Sequence, residues 1–148
     1  MAIKENKDLS KATHTRFYLP DSDRYVTVYL WEDVESLIAN IPEGDGDPDM
    51  GGCCCTPKFI LRYVDGLYIP DIPVDVVGEI HLLKDDWTME VVAHEVFHFI
   101  IKYTNMAGLN IYTDREIEEH MAYLHGQLVN SIYKWLWEVN PPKSKGEV

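Results

Sequence analysis

Two histidines four residues apart, His94 and His98, enclose Glu95 in the stretch TMEVVAHEVFHFIIKY, giving the pattern H-E-x-x-H. In an α-helix of 3.6 residues per turn, positions i and i+4 share a face, so both imidazoles can be presented to one cation. Glu95 directly follows the first histidine and points beside that cation, where a carboxylate can hold and deprotonate a bound water. The chemistry such a set can carry out is metal-assisted hydrolysis. A five-residue pattern alone is only moderately specific, and its flanks add weight. Val91, Val92, Ala93, Val96, Phe97, Phe99, Ile100 and Ile101 are apolar nearly all round, the pattern of a buried helix. Polar side chains in such a helix are costly unless something satisfies them. The bland alternative is a pair of hydrogen-bonded core histidines beside a surface glutamate.

A catalytic zinc ordinarily has three protein ligands and a water. The continuation H-E-x-x-H-x-x-G-x-x-H is excluded, because Ile101 and Thr104 occupy the positions that need Gly and His. The other common plan draws a glutamate from a following helix, and TDREIEEHMAYLHGQLVNSIYKWLW offers Glu116, Glu118 and Glu119. Thr113-x-x-Glu116 reads as a capping box, with Tyr112 and Ile117 as its hydrophobic staple, which gives Glu116 a structural role. One apolar stripe runs through Ile117, Met121, Leu124, Leu128, Ile132 and Trp135. A second flank holds Ala122, Gly126, Val129, Tyr133 and Trp137, where small residues would admit a neighbouring helix. Glu119 borders that flank. Glu118 lies between the two stripes and stays open as a ligand or as a group orienting one.

His94-Glu95-x-x-His98 followed by Glu119-x-x-Ala122-Tyr123 resembles the small gluzincin-type (HExxH…E) zinc metallopeptidases. It is especially similar to short metallopeptidase-like proteins of tailed bacteriophages. The resemblance covers roughly residues 78 to 133 and departs from the pattern at His120, where a small or apolar residue is commoner. It implies Zn2+ held by His94, His98 and Glu119, with Glu95 as general base. The implied activity is hydrolysis of peptide bonds in a protein or peptide substrate. His81, Tyr112, Tyr123, His120 and His125 are chemically able to stabilise the oxyanion. The rival reading is a non-catalytic zinc-binding protein, a phage–host interaction or inhibitor module in which the same site is structural. A base beside an open coordination position has no use there, so Glu95 favours the enzyme. A third, metal-free α+β module would hold no zinc at all.

The elements that must position these residues are readable around them. Val76–Leu83 is a strand immediately before the motif, expected as an edge that could pair with an extended peptide. His81 alternates with Ile80 and Leu82 and so faces away from them. Thr88 is a suitable N-cap for the motif helix, Glu90 suits its positive end, and Trp87 with Val92 fits a staple. The helix should run to about Asn105 and stop near Gly108. Upstream, Phe17–Leu19, a turn at Pro20–Asp23 and the β-rich Tyr25–Trp31 form a hairpin, with Val26, Val28 and Leu30 on one face. Asp33 caps a short helix that Pro42 ends. Lys58–Val64 turns at Asp65-Gly66 into Leu67–Ile69 before Pro70 and Pro73 interrupt. The expected fold is α+β: a minimal zincin-like domain with a small, mostly antiparallel sheet packed on two main helices.

A chain of 148 residues with 46% hydrophobic and 26% charged residues fits one globular domain spanning 1–148. Residues 1–15 are expected as a flexible arm and 138–148 as a loose tail. Residues 43–52, EGDGDPDMGG, form an acidic Gly-rich loop. The alternating Asp45, Asp47 and Asp49 do not make a calcium loop, since Met50 and Thr56 stand where Gly and Glu are required. The net charge of −12 and pI near 4.7 speak against nucleic acid or an anionic membrane as partner. No apolar run approaches a membrane span, and the first residues lack the apolar core of a secretory signal. Cys53, Cys54 and Cys55 are consecutive and odd in number, which points to free thiols in a cytoplasmic setting, the host cytoplasm if phage-encoded. Their spacing is not that of a Cys-rich metal site.

Overall fold

The computed structural model describes residues 3–42, 51–57, 60–71 and 75–143, so the acidic segment Glu43–Met50 lies outside the described residues. The chain is mixed α+β. In order it forms β1 (Ala12–Tyr18), β2 (Tyr25–Trp31), α1 (Val34–Ala39), β3 (Gly52–Cys55), β4 (Ile60–Val64), β5 (Leu67–Asp71), β6 (Val76–Leu83), α2 (Met89–Met106) and α3 (Arg115–Val139). Four strands make one sheet in the order β1-β2-β6-β3, and β4 and β5 make a separate two-stranded ribbon. The expected hairpin is present as antiparallel β1 and β2, joined through a turn where Asp21 takes a positive φ of 52°. At the ribbon's turn Asp65 and Gly66 both have φ > 0, as a tight hairpin turn requires.

The sheet departs from the sequence expectation at its centre. β2 and β6 pair in parallel, and β3 returns antiparallel to β6. β6 is therefore an interior strand, and the edge beside the helices is β3. The side chains of VVGEIHLL alternate as expected, but both faces of the strand are covered. Ile80, Leu82 and Val77 join Val26, Val28, Leu30 and Cys54 under α2 and α3. On the other side Tyr29, Trp31, Cys53, Cys55 and Leu83 pack with Leu37 of α1.

Caps fix the helix limits. The Asp33 carboxylate accepts from Ser36 N at 2.7 Å to start α1, and Thr88 Oγ1 accepts from Val91 N at 3.1 Å to start α2. α2 ends at Met106, with Gly108 at φ 67°, close to the expected limits. The α3 cap is one residue later than the sequence implied. Asp114 accepts from Glu116 N at 3.0 Å and Ile117 N at 3.3 Å, so the Thr113–Glu116 capping box does not form. A carboxylate is the better acceptor at the positive end of a helix. Tyr112, 90% exposed, is no staple.

Two segments expected to be loose are tied down. In the N-terminal arm, Lys7 inserts its amine beside the buried Glu79 at 2.9 Å, and Asp8 N donates to Asn40 Oδ1 at 2.7 Å. At the other end Asn140 is buried: its Oδ1 accepts from Trp87 Nε1 at 2.9 Å and from Asp85 N at 2.9 Å. Among the described residues no helix is long and apolar enough to cross a membrane.

The seating of α2 on the sheet depends on one glycine. A Cβ at Gly78 would lie 2.6 Å from Phe99 Cδ2, closer than such atoms ever come. Phe99 is fully buried, and side chains of its class each contribute about 1.5–3 kcal/mol by leaving water. Gly78→Ala should therefore cost about 1–3 kcal/mol in a denaturant unfolding titration, with folding topology retained.

Candidate functional site

The motif lies on α2, and the helix is less uniformly buried than its composition implied. Val92, Val96, Phe99 and Ile100 face the sheet, while His94, Phe97 and His98 lie on an exposed face. The reason is that α2 has α3 on one flank only, so an apolar Phe97 remains 56% exposed. His94 and His98 converge as their spacing requires. Their Nε2 atoms are 3.1 Å apart and the rings stand nearly perpendicular, at 79°. Partial burial, and then the neighbouring His94, hold the His98 imidazole below its usual range.

Glu95 turns the other way. It is buried, 6% exposed, and packs toward edge strand β3, where a Cβ on Gly52 would be 3.1 Å from its Cγ. Burial raises its pKa above the ordinary carboxylate value, only partly opposed by His94 and Lys102. Lys102 itself donates to Cys54 O at 3.1 Å, tying α2 to the outer side of β3. His94 and Glu95 line a cavity of about 430 Å³ together with Gly51, Gly52, Thr88 and Val91.

The third ligand is not assembled with these two. Among the described residues no three His, Cys, Asp or Glu side chains converge on a common point that could hold an ion. Glu116, Glu118 and Glu119 are all exposed. Contacts between the helices explain why. Trp87 meets Tyr133 edge-to-face at 5.7 Å, while His125 meets Phe97 at 6.4 Å and places Nε2 3.3 Å from Ala93 O. The helices thus run antiparallel with His125 alongside the motif, and Glu118 and Glu119 lie about two turns nearer the α3 start.

The packing flank of α3 also differs from the expected one. Met121, His125, Val129 and Tyr133 are half-buried, whereas Ala122 and Gly126 are exposed, and a Cβ on Gly126 would meet nothing. His125, one of the oxyanion candidates, is a titratable group that α3 brings alongside the motif. The signal was available in its four-residue spacing from Met121 and Val129. Among the oxyanion candidates, Tyr112, His120 and Tyr123 are exposed. His81 is fully buried on the opposite face of the sheet from α2, so it does not line the motif's cavity.

Comparison with protein-family models, with curated proteins and with solved structures found no match to this chain.

The buried Glu95 has a consequence that needs no metal. A carboxyl whose folded pKa is raised stabilises the protein below the unfolded value and loses that contribution as pH rises through the folded value. Metal-free Glu95→Gln should therefore be more stable than the parent at pH 7 and equally stable near pH 4. Paired denaturant titrations at the two pH values measure this.

Proposed function

We propose that the chain is a zinc-dependent peptide hydrolase of zincin-like build, with His94 and His98 as metal ligands and Glu95 as general base. One observation carries the reading: the histidines are at the surface and the glutamate is buried. The burial is the reverse of that in the bland alternative, hydrogen-bonded core histidines beside a surface glutamate, while the two rings are within hydrogen-bond distance of each other. A cation about 2.0–2.1 Å from both Nε2 atoms, which stand 3.1 Å apart, would subtend an angle of about 100°, close to tetrahedral. The donor pair therefore fits zinc, while the remaining protein ligand must come from elsewhere.

When bound, zinc would polarise a scissile carbonyl and acidify its attacking water. The residues of this chain supply the rest. Glu95, made more basic by burial, takes up a proton and returns it to the leaving amine. Gly51 and Gly52 leave the cavity beside Glu95 open to an extended backbone, and the edge of β3 is where such a peptide can add as a strand. The resemblance assigns the third ligand to Glu119, which α3 would have to carry toward the motif. The helix register favours His125 for the same duty.

Purified protein should carry about one zinc per chain, measured by metal analysis, and His94→Ala or His98→Ala should lower zinc affinity by more than about 100-fold. The third ligand is identified by comparing Glu118→Ala, Glu119→Ala and His125→Ala; the true ligand gives a loss of that order and the others stay near the parent. Zinc-free native protein would sink the proposal. Glu95→Gln should retain zinc and abolish hydrolysis of a peptide library. Retained activity removes Glu95 as base. Zinc binding without hydrolysis in the parent supports the structural alternative instead.

A further inference from the structure

β3 is the outer strand beside α2, and its backbone groups alternate between β6 and the open edge. A Cβ on Gly78 of β6 would lie 3.7 Å from Cys55 O, and one on Gly52 would lie 3.2 Å from His81 O. Cys53 and Cys55 are therefore the residues that bond to β6, opposite His81 and Glu79. Gly52 and Cys54 turn their N–H and C=O groups outward.

Lys102 reaches this edge from α2, where its Nζ donates to Cys54 O at 3.1 Å. It is half-buried, and it is the only lysine or arginine in the α2 sequence. Four residues after His98 and eight after His94, it continues their row by one helical turn. Viewed down the helix, it projects between His98 and Glu95, toward β3. Burial raises Glu95 and lowers His98, the His94 ring lowers both, and Lys102 acts on both in the same sense as His94. An ammonium has three N–H donors, and among the described residues Cys54 O takes one of them.

A strand continuing along the β3 edge past Cys54 would need Cys54 O as an acceptor, and Lys102 already occupies it. A chain that ends there has no further N–H to place. Its terminal carboxylate needs donors instead, and the outward Cys54 N–H and the Lys102 ammonium stand side by side to supply them.

Building on the hydrolase reading, we propose that Lys102 and the Cys54 N–H bind the C-terminal carboxylate of a peptide laid along β3, so that one or two residues are removed from a free C-terminus. The peptide runs parallel to β3, with its last residue opposite Cys53. That residue donates its N–H to Gly52 O, and its carboxylate accepts from Cys54 N and Lys102 Nζ. Lys102 stands about 6 Å beyond His98 along α2, the length of about two residues of extended chain. The amide that reaches the motif is therefore close to the chain end. Its hydrolysis consumes one water: the C–N bond breaks, the hydroxyl joins the new carboxylate, and the leaving amine takes the proton. The chain on the other side of that bond lies in the cavity beside Gly51 and Gly52.

Binding is measured on metal-free protein by NMR titration with N-acetyl-tetraalanine, carrying either a free C-terminal carboxylate or a C-terminal amide. The free carboxylate should bind about tenfold more tightly, as a charge-assisted hydrogen bond predicts. Lys102→Gln should abolish that preference and Lys102→Arg should keep it, whereas a purely structural lysine would leave the preference unchanged in both. An amidated peptide ending in Glu tests an acidic side chain as the source of the carboxylate. Equal binding of the free and amidated peptides, a preference that survives Lys102→Gln, or equally tight binding of the Glu-ended amide overturns the proposal. With zinc-loaded protein, mass spectrometry should show one or two residues released from peptides with a free C-terminus and none from their amides. Equal cleavage of both overturns the carboxylate site and leaves the hydrolase standing. Carboxylate-selective binding without any hydrolysis supports the site and removes the hydrolase instead.

Discussion

The approach of α2 to the sheet is the constraint on which the remaining arrangement depends. Two glycines set it from opposite ends. Gly78 on β6 leaves the space that the Phe99 ring occupies, and Gly52 on β3 leaves the space for Glu95 and Val91. Interiors are packed too densely to absorb even one additional carbon at the closer contact. With α2 drawn down onto β6, its first turns lie over the β3 edge, and Lys102 fastens its later turns to the Cys54 carbonyl. Glu95 is buried for this reason, and the two histidines, which lie farther round the helix, are left at the surface.

The sheet separates two environments that differ in kind. Toward α2 and α3 it presents Val26, Val28, Leu30, Ile80 and Leu82, an apolar face that supplies the core. Toward α1 it presents Glu79, His81 and Tyr29 with two cysteine sulfurs, a face that would be unfavourable without internal partners. Lys7 reaches in from the segment before β1 to offset the Glu79 charge, and Trp31 supplies a donor to His81. The N-terminal segment is ordered because a buried carboxylate needs its amine. The polar face is thus coupled to the chain's beginning, while the apolar face is coupled to its end through Trp87 and Asn140.

The register of α2 against α3 follows from large side chains rather than from the motif. Trp87 on Tyr133 and Phe97 on His125 fix how far the helices slide past each other. This sets His125 alongside the paired histidines and leaves the acidic start of α3 exposed. Glutamates at a helix start need no partner there, because the helix dipole favours them. Their clustering in the sequence therefore has an electrostatic explanation independent of any ligand role.

Local patterns settled a good deal from the sequence alone: the β1–β2 hairpin, the limits of β6, the Asp33 and Thr88 caps, the end of α2 near Gly108, and Leu124, Leu128 and Ile132 of the α3 core stripe, though not Leu136. They also settled that His94 and His98 share a face, because a four-residue spacing acts through one helical turn. Tertiary structure alone decided that β6 is central, that β3 forms the edge beside Glu95, and that His81 faces away from the motif. Strand order depends on non-local pairing, which no local pattern encodes. It also decided the α2–α3 register, since a helix wheel gives the direction of a side chain and not its height along a neighbour. Where the third ligand would stand is a question of that height, whereas the pairing of His94 with His98 required only one turn of helix.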